Sequence, residues 1–391
     1  MRQLFKRSQV FIRRTSMYGV LFLVLVALFA VVNAKKVFNF WVYDEIDYNE
    51  WTVDLGNKGE TDYISNFWGK TQFINFNGLM RNVLGQHEMN GVIKLNNGYL
   101  STLHAYEADE ALNSKADALR DLKCYLDQSD IPMLFAATPY TSCKYDPQLP
   151  TGVIDYGNVN IDRFLEIVNA YGIETLDFRK EMHDDNVNQY DLMYKTDHHW
   201  TTEGGFYAAG KISAWIQEKT KAEVDTRVYD ISNYKLSVYE KWHLGSRGQR
   251  TGIYFGGIDD FVLITPAFET NISDGEREGT FEELLIDYEP LKNKQYTSRY
   301  TYDYVLGNSR GTHINYNALN DKKILIVSDS FAEAMNGYLI LGYKEVRHLS
   351  GETSYLLTKE YIDDYHPDAV IVMYYLDYLE GDNKAFSFGI R

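Results

Sequence analysis

The sequence predicts an α/β fold built on a parallel sheet with helices on both faces. Three observations carry that expectation. Short continuous apolar runs, such as Lys323 to Val327 and Ala369 to Tyr374, end in turn residues. Runs of that kind are strands buried on both faces, as parallel sheets require. They alternate along the chain with helix-length amphipathic stretches, the pattern of βαβ units. Finally, 391 residues with 45% hydrophobic content suffice for a large core, in one big domain or two modest ones.

The elements follow in order. A helix over Ser114 to Gln128 leads into an apolar strand from Pro132 to Thr138. A loop with Pro139, Pro147 and Pro150 separates it from a helix over about Asn160 to Tyr171 and a strand from Glu174 to Phe178. Phe206 to Thr220 reads as an amphipathic helix, with Thr201 or Thr202 as its N-cap and Glu203 favoured in the first turn. Near the end come strand Lys323 to Val327, helix Ala332 to Leu341, strand Glu345 to Leu349, helix Tyr355 to Tyr365 and strand Ala369 to Tyr374. Two segments depart from the rhythm. Gly91 to Leu100 reads as a hairpin with Asn97-Gly98 as its turn. Lys221 to Leu319 is aromatic, charged and rich in short alternating runs, so we expect a β-rich insertion between two halves of one α/β domain.

The N-terminus stands apart. Arg2, Lys6, Arg7, Arg13 and Arg14 precede an uncharged, mostly apolar run from Met17 to Ala34. As a helix that run would span roughly 27 Å, enough for a bilayer core. Basic residues before it predict the N-terminus inside and the remainder outside the cytoplasm. Val32-Asn33-Ala34 also resembles a cleavage site, so both an uncleaved signal anchor and a signal peptide fit, the anchor being the favoured reading. The expected organisation is a cytoplasmic tail and anchor over residues 1–36, an entry segment over 37–90, and the α/β domain over 91–391.

A net charge of -16 repels phosphate backbones and argues against nucleic-acid binding. Cys124 lies late in a helix, and Cys143 lies beyond the far end of the strand that follows. That strand is about 20 Å long, whereas bridged Cα atoms lie within about 7 Å, so we expect two free thiols.

Two clusters carry chemistry. The first is Tyr194-Lys195-Thr196-Asp197-His198-His199-Trp200-Thr201-Thr202-Glu203-Gly204, a loop running into a helix start. In an extended loop Asp197 and His199 share one side, so the acid can orient the imidazole, while His198 points the other way. A metal site and a structural His pair are the alternatives, although adjacent histidines diverge and no helical H-E-x-x-H spacing is present. In the second cluster, an apolar strand ends in Ser328-Asp329-Ser330-Phe331 before a helix. A hydroxyl at such a turn has backbone N–H groups beside it that can bind an oxyanion. A third segment, Gly245-Ser246-Arg247-Gly248-Gln249-Arg250-Thr251-Gly252, offers Arg247 and Arg250 as candidate anion or sugar contacts, or else an exposed turn. Trp200 is a candidate for stacking on a sugar ring, or for packing against the helix start.

Taken together, Tyr194 to Gly204 and Ser328 to Phe331 resemble the DHHW protein family, within the SGNH-hydrolase-like group that includes the extracytoplasmic alginate O-acetyltransferase proteins. The resemblance spans roughly Gly91 to Asp382, and Ser328 stands where the family's Gly-Asp-Ser-Phe block has Gly. It implies a three-layer, flavodoxin-like SGNH fold with permuted motif order. The implied triad is Ser330 as nucleophile, His199 as base and Asp197 as orienting acid, in a geometry that does not depend on chain order. The implied activity is O-acyl transfer, with acetyl as the acyl group, to an extracellular or cell-wall polysaccharide, with no metal or other cofactor. Water replacing the sugar would make the same site an esterase, and a glycan-binding protein with an inactive triad is a further alternative. A membrane-bound O-acyltransferase would supply the acyl group, and the protein would be single-pass in a bacterial cell membrane.

Overall fold

The computed structural model describes residues 18–33, 68–292, 294, 305–350, 358–380 and 384–390. The chain divides into two compact units, 1–76 and 77–391.

In the first unit, residues 18–33 are helical, and apolar side chains such as Leu21, Phe22, Leu23 and Leu25 are exposed. Among the described residues no helix is long and apolar enough to cross a membrane. Both ends of the apolar run, Met17 and Ala34, and residues 37–67 of the expected entry segment lie outside the described residues.

Helix α1 (Lys70–Val83) leads into the second unit. There β1 (Glu88–Met89), β2 (Val92–Lys94) and β3 (Leu100–Ser101) form a small antiparallel sheet. The β2–β3 hairpin matches the expected one. A second hairpin precedes it, turning at Asn90 and Gly91, both at positive φ (53° and 71°), the conformation a tight two-residue turn demands.

Among the described residues the large sheet has eight strands. It contains β4 (Met133–Ala137), β5 (Glu174–Asp177), β8 (Ile272–Ser273), β9 (Glu278–Gly279), β10 (Gly311–Asn315), β11 (Lys323–Ser328), β12 (Glu345–Leu349) and β13 (Ala369–Tyr374), in the order β5-β4-β13-β11-β12-β10-β8-β9. The first five are parallel. Every residue of β4 and β13 is buried, so both sheet faces are covered, as the apolar runs required.

One expectation is corrected here. The sheet is mixed, because β10, β8 and β9 extend it antiparallel from β12. The segment read as a separate insertion therefore contributes three strands to the main sheet. Antiparallel edge strands are short and leave no local mark of their partner. The remainder of that segment forms the ribbon β6 (Tyr234–His243) and β7 (Asp259–Pro266).

Among the described residues of this unit the longer helices are α2 (Asp109–Asp127), α3 (Gly157–Ala170), α4 (Phe178–Asp184), α5 (Thr202–Thr220), α6 (Ser246–Thr251), α7 (Phe281–Leu285), α8 (Glu333–Gly342) and α9 (Thr358–Tyr365). Thr201 caps α5, its hydroxyl accepting from the Gly204 N–H. Helix α4 was not expected. It begins where the Asp177 carboxylate caps the Arg179 N–H, directly after β5. Cys124 and Cys143 are both free, the first exposed and the second buried.

Candidate active site

The site is built at the carboxyl ends of the central strands, where open α/β sheets place ligands. Strand β11 ends at Ser328, and a single helical turn over Ser330–Ala332 follows. Asp329 caps that turn: its Oδ1 accepts from the Phe331 N–H at 3.0 Å. Its Oδ2 accepts from the Tyr375 N–H at 2.6 Å, which ties the end of β13 to the end of β11. Two backbone donors on one buried carboxylate fix the path of the chain around Ser330.

The Asp-His-His-Trp loop is closed at its base. Met193 and Trp200 form an antiparallel bridge, and the Tyr194 N–H donates to the His199 carbonyl at 3.1 Å. Inside it, His199 Nε2 lies 2.6 Å from Ser330 Oγ, and His199 Nδ1 lies 3.2 Å from Asp197 Oδ1. The structure thus brings Ser330, His199 and Asp197 into one hydrogen-bonded line. Asp197 and His199 are buried, and Ser330 is partly accessible.

His198 does not point away. Its Nδ1 sits 2.8 Å from the same Asp197 Oδ1, and its ring lies 3.9 Å from that of His199. The loop bends sharply here, so the alternation of an extended strand does not apply. Asp197, His198 and His199 each offer a ligand atom within 4.8 Å of the others, a geometry a metal ion could also use.

Trp200 is fully buried, which rules out stacking on a sugar in this arrangement. Its Nε1–H donates to the Phe331 carbonyl at 2.9 Å, and its ring packs edge-on against Phe331 and Phe178. The indole clamps the loop to the serine turn. Arg247 is likewise corrected: it is only 3% exposed, and its guanidinium is engaged by protein. Nη1 donates to the carbonyls of Leu100 (3.0 Å) and Asp197 (3.3 Å) and to Thr141 Oγ1 (2.5 Å), and Nη2 to Thr102 Oγ1 (3.2 Å) and the Tyr375 hydroxyl (3.0 Å). A glycine-flanked arginine reads as exposed, but these glycines serve close packing. Arg250 is exposed and donates to the Asn90 carbonyl at 2.5 Å.

The glycine-rich segment cradles Asp197. Gly245 is extended (φ -69°), so its lack of a side chain is a matter of space: a Cβ there would lie 2.5 Å from Asp197 Cγ. The Ser246 N–H donates to Asp197 Oδ2 at 3.2 Å, and His243 Nε2 lies 3.2 Å from the same oxygen. Sequence reasoning missed His243, and it singled out the Gly245–Gly252 segment for its arginines without seeing that Gly245 and Ser246 hold Asp197. Their signal, small residues after a strand end, is too common to single them out.

Burial alone would raise the Asp197 carboxyl, but the charges and hydrogen bonds of His198 and His199 hold it well below the ordinary carboxylate range. Asp329 goes the other way. Burial raises it to about 6, against the lowering pull of the Tyr375 and Phe331 N–H groups and of His199; Asp377 pushes it further up. A raised carboxyl favours the folded state fully below its ordinary value and loses that benefit as pH rises through about 6. We therefore expect wild type to lose about 2–3 kcal/mol of stability relative to Asp329→Asn between about pH 4 and pH 6. Denaturant unfolding of both proteins across that range measures it; parallel profiles would refute the assignment.

Ser328, where the resemblance drawn from sequence has Gly, is buried and its Oγ lies 2.8 Å from His348 Nε2 on β12. Burial lowers His348 to about 3, so the imidazole is neutral. The added hydroxyl is thus accommodated by a polar partner on the next strand.

Residues 99–238 match the family of the SGNH hydrolase-like domain of acetyltransferase AlgX, a stretch that includes Asp197 to Trp200 and stops before Ser330. No curated protein matches the chain in sequence. Among solved structures, Bacillus cereus PatB1 superposes with a TM-score of 0.59 at 21% identity, covering 76% of this chain and 99% of its own. A DHHW family protein from Eubacterium siraeum gives 0.55 at 17% identity, covering 77% and 95%. The O-acetyltransferase domain of Pseudomonas putida AlgJ gives 0.50 at 12%, covering 75% and 93%. At these identities the superpositions establish the fold. The chain is thus similar in fold to PatB1 and to this DHHW family protein, and over residues 99–238 it is similar to the SGNH hydrolase-like domain of acetyltransferase AlgX.

Proposed function

We propose that the protein is an O-acyltransferase, with acetyl as its acyl group and an extracellular or cell-wall polysaccharide as its acceptor. The observation that carries the reading is the line from Ser330 Oγ to His199 Nε2 (2.6 Å) and from His199 Nδ1 to Asp197 Oδ1 (3.2 Å). Likeness in fold to the O-acetyltransferase domain of AlgJ supports the choice of acyl group.

In this mechanism Ser330 Oγ attacks the acetyl carbonyl of the donor while His199 Nε2 takes its proton. The ionised Asp197 stabilises the resulting imidazolium. The Ser330 N–H is the proposed donor to the oxyanion. Collapse breaks the donor's ester bond, and the leaving group takes the proton from His199. A sugar hydroxyl then gives its proton to His199 and attacks acetyl-Ser330. The second collapse releases the acetylated glycan and returns the proton to Ser330.

The test supplies an activated acetyl ester with and without a glycan and follows where the acetyl goes. Transfer to glycan that outpaces release to water supports the transferase. Release to water alone would make the protein an esterase. The structure of Bacillus cereus PatB1 with a sulfonyl adduct, similar to this chain in fold, also suggests a probe: sulfonyl fluoride should label Ser330.

The apolar run of residues 17–34 and the basic residues before it support a further part of the reading. The chain would be anchored with its N-terminus inside, and a membrane-bound O-acyltransferase would deliver the acyl group to the site. Deleting residues 1–36 should then move the protein from the membrane to the soluble fraction. Retention in the membrane would overturn the anchor.

A further inference from the structure

Asp197 has two oxygens and five donors around them. Oδ1 faces the His198 N–H (2.6 Å), His198 Nδ1 (2.8 Å) and His199 Nδ1 (3.2 Å). Oδ2 faces the Ser246 N–H and His243 Nε2, both at 3.2 Å. The two histidines on Oδ1 compete for one atom, and His198 is the nearer. Rotation of the carboxylate toward His198 would leave His199 without its acid.

His243 is the last residue of β6 and comes from outside the Asp-His-His-Trp loop. Its side chain is fully buried, with the ring 4.3 Å from that of Tyr194. Among the described residues its Nδ1 has no hydrogen-bond partner. A buried imidazole with one unsatisfied nitrogen carries a desolvation cost that an apolar residue would avoid. What the ring supplies in return is a donor to Asp197 Oδ2.

We propose that His243 is a positioning residue of the triad: its Nε2–H pins Asp197 Oδ2 and so keeps Oδ1 turned to His199 rather than surrendered to His198. The inference rests on the triad reading above. Other groups frame the pair without replacing this bond. Asp259 at the start of β7 is bonded to the N–H groups of Lys195 and Thr196 and to the Thr196 hydroxyl. Arg247 of α6 holds the Asp197 carbonyl. Tyr375 after β13 lies against His198, and Asp329 after β11 acts on His199 by charge.

The test compares His243→Leu, His243→Asn and His243→Gln in the full chain, with an activated acetyl ester as substrate. Gln can carry an N–H to the place of Nε2, whereas Leu offers no donor and Asn falls short. We expect Leu and Asn to lower kcat by about tenfold to a hundredfold with KM little changed. The acid limb of kcat/KM should move to lower pH, because His199 loses its anionic partner. Gln should restore both. A folded Leu or Asn variant with wild-type kcat and an unmoved limb would overturn the proposal. So would equal losses in all three with the limb unmoved, which marks a packing role. If Leu does not fold, the Asn–Gln comparison decides. Full activity in Ser330→Ala would instead remove the triad reading itself, so the two failures are distinguishable.

Discussion

Ser330→Ala is expected to lower acetyl transfer by about a thousandfold or more while leaving the fold intact. The size follows from the role. Without Oγ there is no acyl-enzyme, and what survives is whatever the oxyanion donor and substrate binding achieve with direct attack by an acceptor. The fold should persist because Ser330 is partly accessible and the turn around it is held by Asp329, whose bonds to Phe331 and Tyr375 do not involve the hydroxyl. The measurements are the rate of transfer and the unfolding transition of the variant. Sulfonyl labelling should vanish in the same protein. Retained transfer would remove Ser330 from the chemistry, and the line from His199 to Ser330 would then be structural.

Gly245→Ala should cost nearly as much through a group that touches no substrate. The new methyl carbon would sit 2.5 Å from Asp197 Cγ, and real contacts of that length do not exist. Either the β6–α6 loop or the carboxylate must give way. The loop is held by the Gly245 N–H on Thr196 Oγ1 (3.0 Å) and by the Gly248 N–H on the Thr196 carbonyl (2.9 Å). The carboxylate is held by five donors of its own, so neither side yields freely. Overpacking of this kind costs about 1–3 kcal/mol. A displacement of about 1 Å in a catalytic group costs about a hundredfold in rate. We expect both: a lowered melting temperature and roughly a hundredfold fall in kcat. A folded variant with wild-type kcat would show that Asp197 need not be held in place.

The parts of this site that were legible in sequence are those with local causes. Strands β11, β12 and β13 read almost to the residue because each is a continuous apolar or alternating run between turns. Thr201 read as a cap because its hydroxyl serves its own helix. Asp197, His199 and Ser330 read as partners through the motifs that flank them. What escaped has distant causes. The role of Trp200 stayed open between a sugar platform and packing because its real partner, the Phe331 carbonyl, lies 131 residues away. Arg247 looked exposed because its acceptors come from Leu100, Thr102, Thr141 and Tyr375, spread across the chain. His198 was misdirected because a bend cancelled the two-residue period. The antiparallel strands β8 to β10 carry no mark of the sheet they join.

The order of strands in the sheet has a consequence for how the molecule is made. β13 lies between β4 and β11 and follows both of them along the chain. The middle of the sheet is therefore synthesised last. Until it arrives, β4 and β11 have a gap between them, and the Tyr375 N–H that steadies Asp329 is missing. Such long-range closure makes folding slow and leaves apolar strand edges open meanwhile. A chain interrupted before β13 would therefore carry the nucleophile turn with one of its two anchors missing.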